Sequence, residues 1–394
     1  MKINPQKHIV IDARVVVNNQ SHGIARYTDE LVRNLKHLES PFKFTLFVNG
    51  NSPFLNQKWP VNFELRILKS SWISLLGQFE MLSHLNQIKA DLFHSPSFIV
   101  PFLSNIPLVT TIHDLNHVVL SENYSIFHRF YYSLLLARKI KRSKAVITVS
   151  GFSQREIINF FQTQPEHVKV IHNGINEQFQ NPLMRGDAAL EQTLQKFELP
   201  NEYILSIGNK KPHKNINRLV EAWCRSSINI PLVLLSDFDP VLLELAETYH
   251  KKHNLHFLRF VSNEELPAIY AGARLFVYPS IYEGFGLPPL EAAACGVPVV
   301  VSNCSSLPEV MRDCALYIDP SNTESISKTL EQALADSDGQ ADRIRKGREL
   351  VKSYSWTKAA QLTHDVYKQV LLSTDKVQSI SASPELNAGE QSHG

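Results

Sequence analysis

Glu283 and Glu291 enclose the run Gly284-Phe285-Gly286-Leu287-Pro288-Pro289-Leu290. Ahead of them, Leu275-Phe276-Val277-Tyr278 is a short apolar run suited to a buried strand. Behind them, Pro288-Pro289-Leu290-Glu291-Ala292-Ala293-Ala294 joins first-turn prolines to alanines that propagate a helix. The pattern predicts strand, glycine loop, helix. Glycine lets a backbone come close to a ligand, and a helix start offers N–H groups at the positive end of its dipole. Such a loop suits a diphosphate. Carboxylates repel phosphate, so Glu283 and Glu291 are expected on hydroxyl groups. A nucleotide sugar, with its diphosphate between two sugars, meets both demands. The same spacing also suits an ordinary strand-loop-helix unit with a solvated Glu283 and a satisfied Glu291.

A second loop could take the same anion. Tyr203-Ile204-Leu205-Ser206-Ile207 reads as a strand, and Leu219, Val220 and Trp223 mark a helix. Between them lies Gly208-Asn209-Lys210-Lys211-Pro212-His213-Lys214-Asn215. Three lysines in a strand-to-helix loop make either a diphosphate pocket or a solvated basic loop. In the first half, His113-Asp114 follows the apolar run Leu108–Ile112, with His94 and Ser150 after other such runs. In open α/β sheets ligands gather at the carboxyl ends of strands. His113 could therefore orient a sugar or an acceptor hydroxyl, with Asp114 bracing it or capping the loop. His113 and His117 have metal-like spacing but sit in a loop, so no metal site is expected. Asp237-Phe238-Asp239 ends a strand and precedes Pro240, which is turn and helix-cap chemistry.

The elements that must position these residues form two βα series. The first opens with His8–Asp12, a polar loop at 18–23, and a helix with Ile24, Tyr27, Leu31, Leu35 and Leu38 at helical spacing. Further strands are expected at Phe44–Val48, Asp91–His94, Leu108–Ile112 and Ala145–Val149. This is the entrance of a doubly wound sheet, without a dinucleotide fingerprint. An irregular linker is expected from Asn176 to about Gly186. The second series begins at Tyr203, and helices near 322–335, 338–353 and 356–372 close the chain.

Together the Glu283–Glu291 string, the Lys214 loop, and Ile11-Asp12-Ala13-Arg14 with Gly23-Ile24-Ala25-Arg26-Tyr27 resemble the retaining glycosyltransferases of family 4, in their mannosyltransferase branch. The resemblance covers roughly residues 8–372. It implies the α/β GT-B fold: two Rossmann-like, doubly wound domains facing across a cleft. The expected boundaries are 1–180 for an acceptor domain and 181–355 for a nucleotide-sugar domain. A helix over 356–373 crosses back, and a disordered tail fills 374–394. His113, Lys214 and Glu283 become the catalytic set, with no protein nucleophile and no metal or other cofactor. Gly23, Gly208, Lys210, Lys214, Glu283, Gly284, Phe285, Gly286, Leu287 and Glu291 become donor contacts. In this assignment Gly23 faces the donor phosphates and Glu291 takes the ribose. Many members carry an arginine where this chain has Asn209, so its role is either missing or moved to Lys210 or Lys211, a point cation rather than a fork. The favoured donor is GDP-mannose, with a UDP-sugar as the alternative, and the acceptor is a glycan or lipid-linked saccharide. An epimerase and a non-catalytic nucleotide-sugar sensor are the rival readings.

Composition sets outer bounds. The chain has 394 residues, 43% of them hydrophobic, which suits two domains. No run of 18 apolar residues and no secretory leader are visible, and Cys224, Cys295, Cys304 and Cys314 form no C-x-x-C pair. A cytoplasmic protein with reduced thiols is expected. Residues 1–180 carry 19 Lys and Arg against 12 Asp and Glu (+7), and the remainder carries −5. Much of the positive charge falls in Arg138, Lys139, Lys141, Arg142 and Lys144, at the end of an aromatic-rich helix expected from Phe127. With the stretch around Trp72, these residues suit either a core helix with dipole-matched cations or a peripheral contact on the inner face of a membrane. Nothing in the pattern points to nucleic acid.

Overall fold

The computed structural model describes residues 6–18, 23–72, 74–119, 135–181 and 183–381. Residues 19–22 of the polar loop, 127–134 of the aromatic helix and the tail from 382 lie outside the described residues. The described chain forms two compact units. One takes the residues up to Thr111, then Leu135–Ile147, then Ala360 onward. The other takes the described residues from Ile112 to Val119, and Thr148–Ala359.

The first unit is built on six parallel strands: β1 (His8–Asp12), β2 (Lys43–Val48), β3 (Phe63–Ile67), β4 (Leu92–Ser95), β5 (Leu108–Thr111) and β6 (Ala145–Thr148). Their order is β3-β2-β1-β4-β5-β6. Ile9 of β1 pairs with Phe44 on one side and Leu92 on the other. Ile9, Val10 and Ile11 are fully buried, as central parallel strands covered on both faces should be. The sequence pattern missed β3, whose Glu64 and Arg66 interrupt the apolar run. It is an edge strand, and Glu64 pairs with Lys43 of β2 at 3.0 Å. The helix expected from Ile24 runs Gly23–Leu35.

The closing helix runs Trp356–Ser381, eight residues past the expected end at 373. No glycine or proline interrupts it before Pro384, so the polar composition from Thr374 does not stop it. In the first unit, its Tyr367 hydroxyl lies 2.6 Å from His94 Nδ1, and His94 Nε2 lies 3.0 Å from Thr111 Oγ1. That buried chain of polar contacts fastens the helix to β4 and β5.

The second unit contains β7 (Val168–Val170) and a parallel sheet of six strands. These are β8 (Ile204–Ile207), β9 (Leu232–Leu235), β10 (Leu255–Leu258), β11 (Leu275–Tyr278), β12 (Val299–Ser302) and β13 (Leu316–Ile318). Their order is β10-β9-β8-β11-β12-β13. Chain order reverses between β8 and β11, which pair directly through Leu275 and Ile204. Such a switch point opens a crevice beyond the strand ends. The lysine loop leaves β8 and the glutamate loop leaves β11, so topology alone brings the two together. Trp223, Leu219, Leu234, Val277 and Val300 form the core beneath them. The expected linker is partly structured. It contains a helical turn, Glu177–Gln180, and its Phe179 is buried against Tyr270, with ring centres 5.9 Å apart. Among the described residues, no helix is long and apolar enough to cross a membrane. All four cysteines are free thiols.

Candidate active site

The loops after β8 and β11 are stitched together by backbone and side-chain bonds. Pro212–Lys214 forms a single 3-10 turn, ended by Asn215 in the left-handed region (φ 56°). Asparagine tolerates that conformation. Its Nδ2 donates to the carbonyls of Pro279 at 3.1 Å and Pro320 at 2.8 Å. The Ile281 amide donates to the His213 carbonyl at 2.7 Å, and Ser280 Oγ, which shares its proton with Glu283, lies 3.1 Å from the same carbonyl. Lys214 is thereby delivered to Glu283. Its Nζ donates to Glu283 Oε1 at 2.6 Å and to the Tyr278 hydroxyl at 2.9 Å. The same Oε1 accepts from Tyr278 at 2.9 Å and Ser280 at 2.5 Å.

This arrangement fixes the charges. Burial opposes the charge on Lys214, but Tyr278 and Glu283 outweigh it and hold the ammonium pKa well above the usual lysine range. Burial likewise opposes ionisation of Glu283. Lys214 and the Ser280 and Tyr278 hydroxyls overcome it, holding the carboxylate below its ordinary range. The site is an ion pair with both partners charged at neutral pH.

The Glu283-Gly284 peptide is gripped by four serines. The Glu283 amide donates to Ser305 Oγ at 3.2 Å, and Ser306 Oγ donates to the Glu283 carbonyl at 2.9 Å. Ser150 and Ser153 donate to the Gly284 carbonyl at 2.7 and 3.3 Å. Ser153 Oγ also lies 3.0 Å from the His113 carbonyl. A Cβ at position 284 would stand 2.2 Å from the His113 carbonyl oxygen and 3.0 Å from Asp114 Cβ. Gly284 is therefore required by the close passage of the His113-Asp114 backbone. Gly286 is required for another reason: at φ +95° it caps the helix Leu287–Ala294. No side chain caps that helix start, and Pro288 and Pro289 carry no N–H, so its donors are concentrated at the first residues.

His113 and Asp114 thus meet the Glu283 loop. Asp114 Oδ1 accepts from the Asn116 amide at 3.0 Å, which is loop-capping geometry. Burial and the nearby Glu283 charge raise its pKa against Lys214 and Lys211. Leu115 N donates to the Tyr282 hydroxyl at 3.3 Å, tying the His113 segment to the same loop.

The other expected donor contacts are more dispersed. Glu291, 2% exposed, lies inside the helix after the loop and accepts from the Tyr270 hydroxyl at 2.8 Å. Phe285 is buried beside His172 and Tyr354, while Leu287 opens the helix. Lys210 and Lys211 are exposed, with Lys210 3.9 Å from Asp239. Asn209 Oδ1 accepts from the Lys211 amide at 3.1 Å, so it shapes the loop where an arginine was expected. At Gly208 a Cβ would meet Ile216 Cδ1 at 2.7 Å. Gly23 opens its helix in the first unit, with open space where a Cβ would be. Asp239 caps the helix Pro240–Thr248 by accepting from Val241 N at 3.1 Å, matching the turn reading of Asp237-Phe238-Asp239. Among the described residues, no cluster of three His, Cys, Asp or Glu could hold a metal ion.

Tyr278 and Ser153 were not singled out from the sequence. Ser280 opens the glutamate stretch, and Ser305 and Ser306 lie in the loop 302–309, which resembles the family's loop beside the nucleotide, but none of the three was given a role of its own. Tyr278 was visible only as the last residue of an apolar strand. The serines act through hydroxyl bonds to backbone carbonyls and amides, which leave no spacing signal.

Much of the chain is similar to known proteins. The family described as glycosyl transferases group 1 matches residues 191–350, and glycosyltransferase family 4 matches residues 21–179. O-antigen chain mannosyltransferase B of Escherichia coli is 35% identical over 293 residues, covering 72% of this chain and 76% of that protein. Sucrose-phosphate synthase from Thermosynechococcus elongatus superposes with a TM-score of 0.76 at 19% identity, over 93% of this chain and all of the other. HepE from Anabaena, solved with UDP and glucose, gives 0.73 at 16% identity, over 92% and 100%. Both structures are GT-B neighbours and speak to the fold alone.

Proposed function

Because the chain belongs to the group 1, family 4 glycosyltransferases, we propose that it is a retaining hexosyltransferase that moves mannose from GDP-mannose onto a saccharide or lipid-linked acceptor in surface polysaccharide synthesis. The observation that carries this reading is the Lys214–Glu283 pair at the β8–β11 switch point, with the His113 segment against the same loop. The name of the Escherichia coli relative supports mannose and a polysaccharide product.

In this reading the donor diphosphate lies at the start of the helix Leu287–Ala294, within reach of Lys214. The acceptor hydroxyl attacks the sugar's anomeric carbon on the face the diphosphate leaves. The carbon–oxygen bond to the diphosphate breaks, and a departing phosphate oxygen takes the acceptor proton. Lys214, helped by Lys210 and the backbone at Phe285-Gly286-Leu287, offsets the charge growing on that leaving group. Glu283 holds sugar hydroxyls, Glu291 the nucleoside ribose, and His113 orients the sugar or the incoming hydroxyl.

The first unit offers a peripheral membrane contact. Leu75, Leu76 and Phe79 stand exposed on one helix, as does Leu103 on a loop. Lys139 of the basic helix Ala137–Arg142 donates to the Ser104 carbonyl at 2.8 Å, placing cations beside Leu103. Apolar side chains beside cations suit an anionic bilayer surface.

The test is incubation with GDP-mannose and a panel of UDP-sugars, with saccharide acceptors, reading nucleotide release and product anomer. Acceptor-dependent GDP release with the donor's anomeric configuration kept is the expected result. UDP release keeps transfer and replaces the donor. An inverted anomer overturns the retaining step. Turnover of intact nucleotide sugar without acceptor indicates an epimerase, and binding without turnover a sensor.

A further inference from the structure

Glu309 lies outside every role assigned so far. It sits in the short helix Leu307–Met311, whose preceding loop supplies Ser305 and Ser306 to the Glu283 peptide. Its carboxylate turns the other way. Oε1 accepts from the Gly151 amide at 2.7 Å and Oε2 from the Phe152 amide at 2.9 Å. Those are the first two amides of the helix Gly151–Phe161, where an anion meets unpaired donors and the positive end of the dipole. Gly151 makes room for it: a Cβ there would come within 3.2 Å of Oε2.

The start of that helix carries the two serines that grip the Gly284 carbonyl. Ser150 is its cap, accepting from Ser153 N at 3.0 Å while donating to Gly284 O at 2.7 Å. The single hydroxyl proton of Ser153 is shared between the carbonyls of Gly284 and His113. One carboxylate therefore links the loop holding one side of the Glu283-Gly284 peptide to the helix holding the other side.

We propose that Glu309 is a positioning residue of the transfer site: it anchors the Gly151–Phe161 helix start so that Ser150 and Ser153 hold the His113 segment and the Glu283 loop in register. It touches neither donor nor acceptor. Loss of the anchor should leave donor affinity in place and misplace the reacting groups, where small displacements cost rate steeply. The inference rests on the glycosyltransfer reading for its effect on rate, but not for its effect on local structure.

Glu309→Gln keeps the shape and replaces one acceptor oxygen with an NH2 group facing an amide N–H. Two readouts are made on the full chain, with Ser153→Ala as a second variant. In hydrogen exchange, both variants should speed exchange in peptides spanning 111–116, 150–154 and 282–287, and leave the β8–β10 core unchanged. In turnover of GDP-mannose, both should lower kcat about tenfold or more with donor Kd within about twofold. The double variant should lose little more than either alone, since both act through one linkage. Exchange unchanged at those three segments, or spread evenly through the second unit, overturns the proposal. So does a wild-type kcat in Glu309→Gln. If wild type consumes no nucleotide sugar while local exchange still responds, the anchor stands and the glycosyltransfer reading falls.

Discussion

Lys214 Nζ lies 2.6 Å from Glu283 Oε1, and that oxygen also accepts from Ser280 and Tyr278. On the proposed reading, this neutral unit joins a cation for a diphosphate to a carboxylate for sugar hydroxyls. A donor bound as proposed would meet a preorganised pair, and its diphosphate would draw part of the Lys214 charge away from Glu283.

Removal of one partner should cost both activity and stability. Lys214→Met is expected to lower kcat by about 10²–10³, the scale for losing one preorganised donor to developing charge. Leaving Glu283 buried without its cation should also destabilise the fold by up to about 3–5 kcal/mol. Steady-state kinetics and denaturant unfolding measure the two losses. The expectation fails if Lys214→Met keeps wild-type turnover.

The pair also sets a pH window. Glu283 has a depressed pKa, so its contribution is present above the ordinary carboxylate value of 4.5 and fades as pH falls through its lower folded value. Lys214 has a raised pKa, so its contribution is complete below the ordinary lysine value of 10.5 and fades as pH rises through its higher folded value. The stability gap between wild type and Lys214→Met should therefore shrink in acid, and become flat only where Glu283 is ionised in both proteins, which burial moves to higher pH in the variant. A gap that widens as pH falls below 4.5 would contradict the assignment.

Tyr278→Phe removes a hydroxyl that lies 2.9 Å from both Lys214 Nζ and Glu283 Oε1. Hydrogen bonds to charged groups are worth about 1.5–3 kcal/mol. The pair itself survives in this variant, so turnover should fall roughly tenfold, less than in Lys214→Met. Equal losses in the two variants would mean that Tyr278 does more than hold the pair.

Gly284→Ala should be among the most damaging single-methyl additions in the chain. Its Cβ would stand 2.2 Å from a backbone oxygen of His113, which no rotamer change relieves. Overpacking of this kind costs about 1–3 kcal/mol or shifts the backbone. Here the backbone that must shift carries His113. Activity should fall more than thermal stability does, as seen by comparing kcat with Tm; an active Gly284→Ala would separate His113 from the reaction.

Membrane contact is checked by co-sedimentation with anionic and zwitterionic vesicles. Wild type should bind the anionic ones, and binding should fall with added salt. The double variant Leu76→Ser with Phe79→Ser should bind less without loss of turnover on a soluble acceptor. Equal binding by both proteins removes this surface from the membrane role.

The strand-loop-helix units at β8 and β11 were legible in the sequence because apolar runs, glycine, proline and alanine each carry a local conformational preference. That the lysine and glutamate loops lie side by side was not legible, because a strand order cannot be read from apolar runs alone. The pairing of β8 with β11 shows it. Edge strand β3 escaped because Glu64 and Arg66 break its apolar run, and the extra turns of the last helix because polar residues without proline or glycine still form helix. The serine grip on Gly284 was illegible in principle: its bonds join residues more than a hundred positions apart through main-chain carbonyls. Gly284 was read as space for a ligand; the structure shows the His113 backbone passing there.

A nucleotide-sugar site built on Lys214 and Glu283 is accessible to calorimetric titration of wild type and Lys214→Ala with GDP-mannose. Saturable binding to wild type and at least tenfold weaker binding to the variant, about 1.4 kcal/mol or more, are expected. Equal affinity in the two proteins, or binding of no nucleotide sugar by wild type, would contradict such a site.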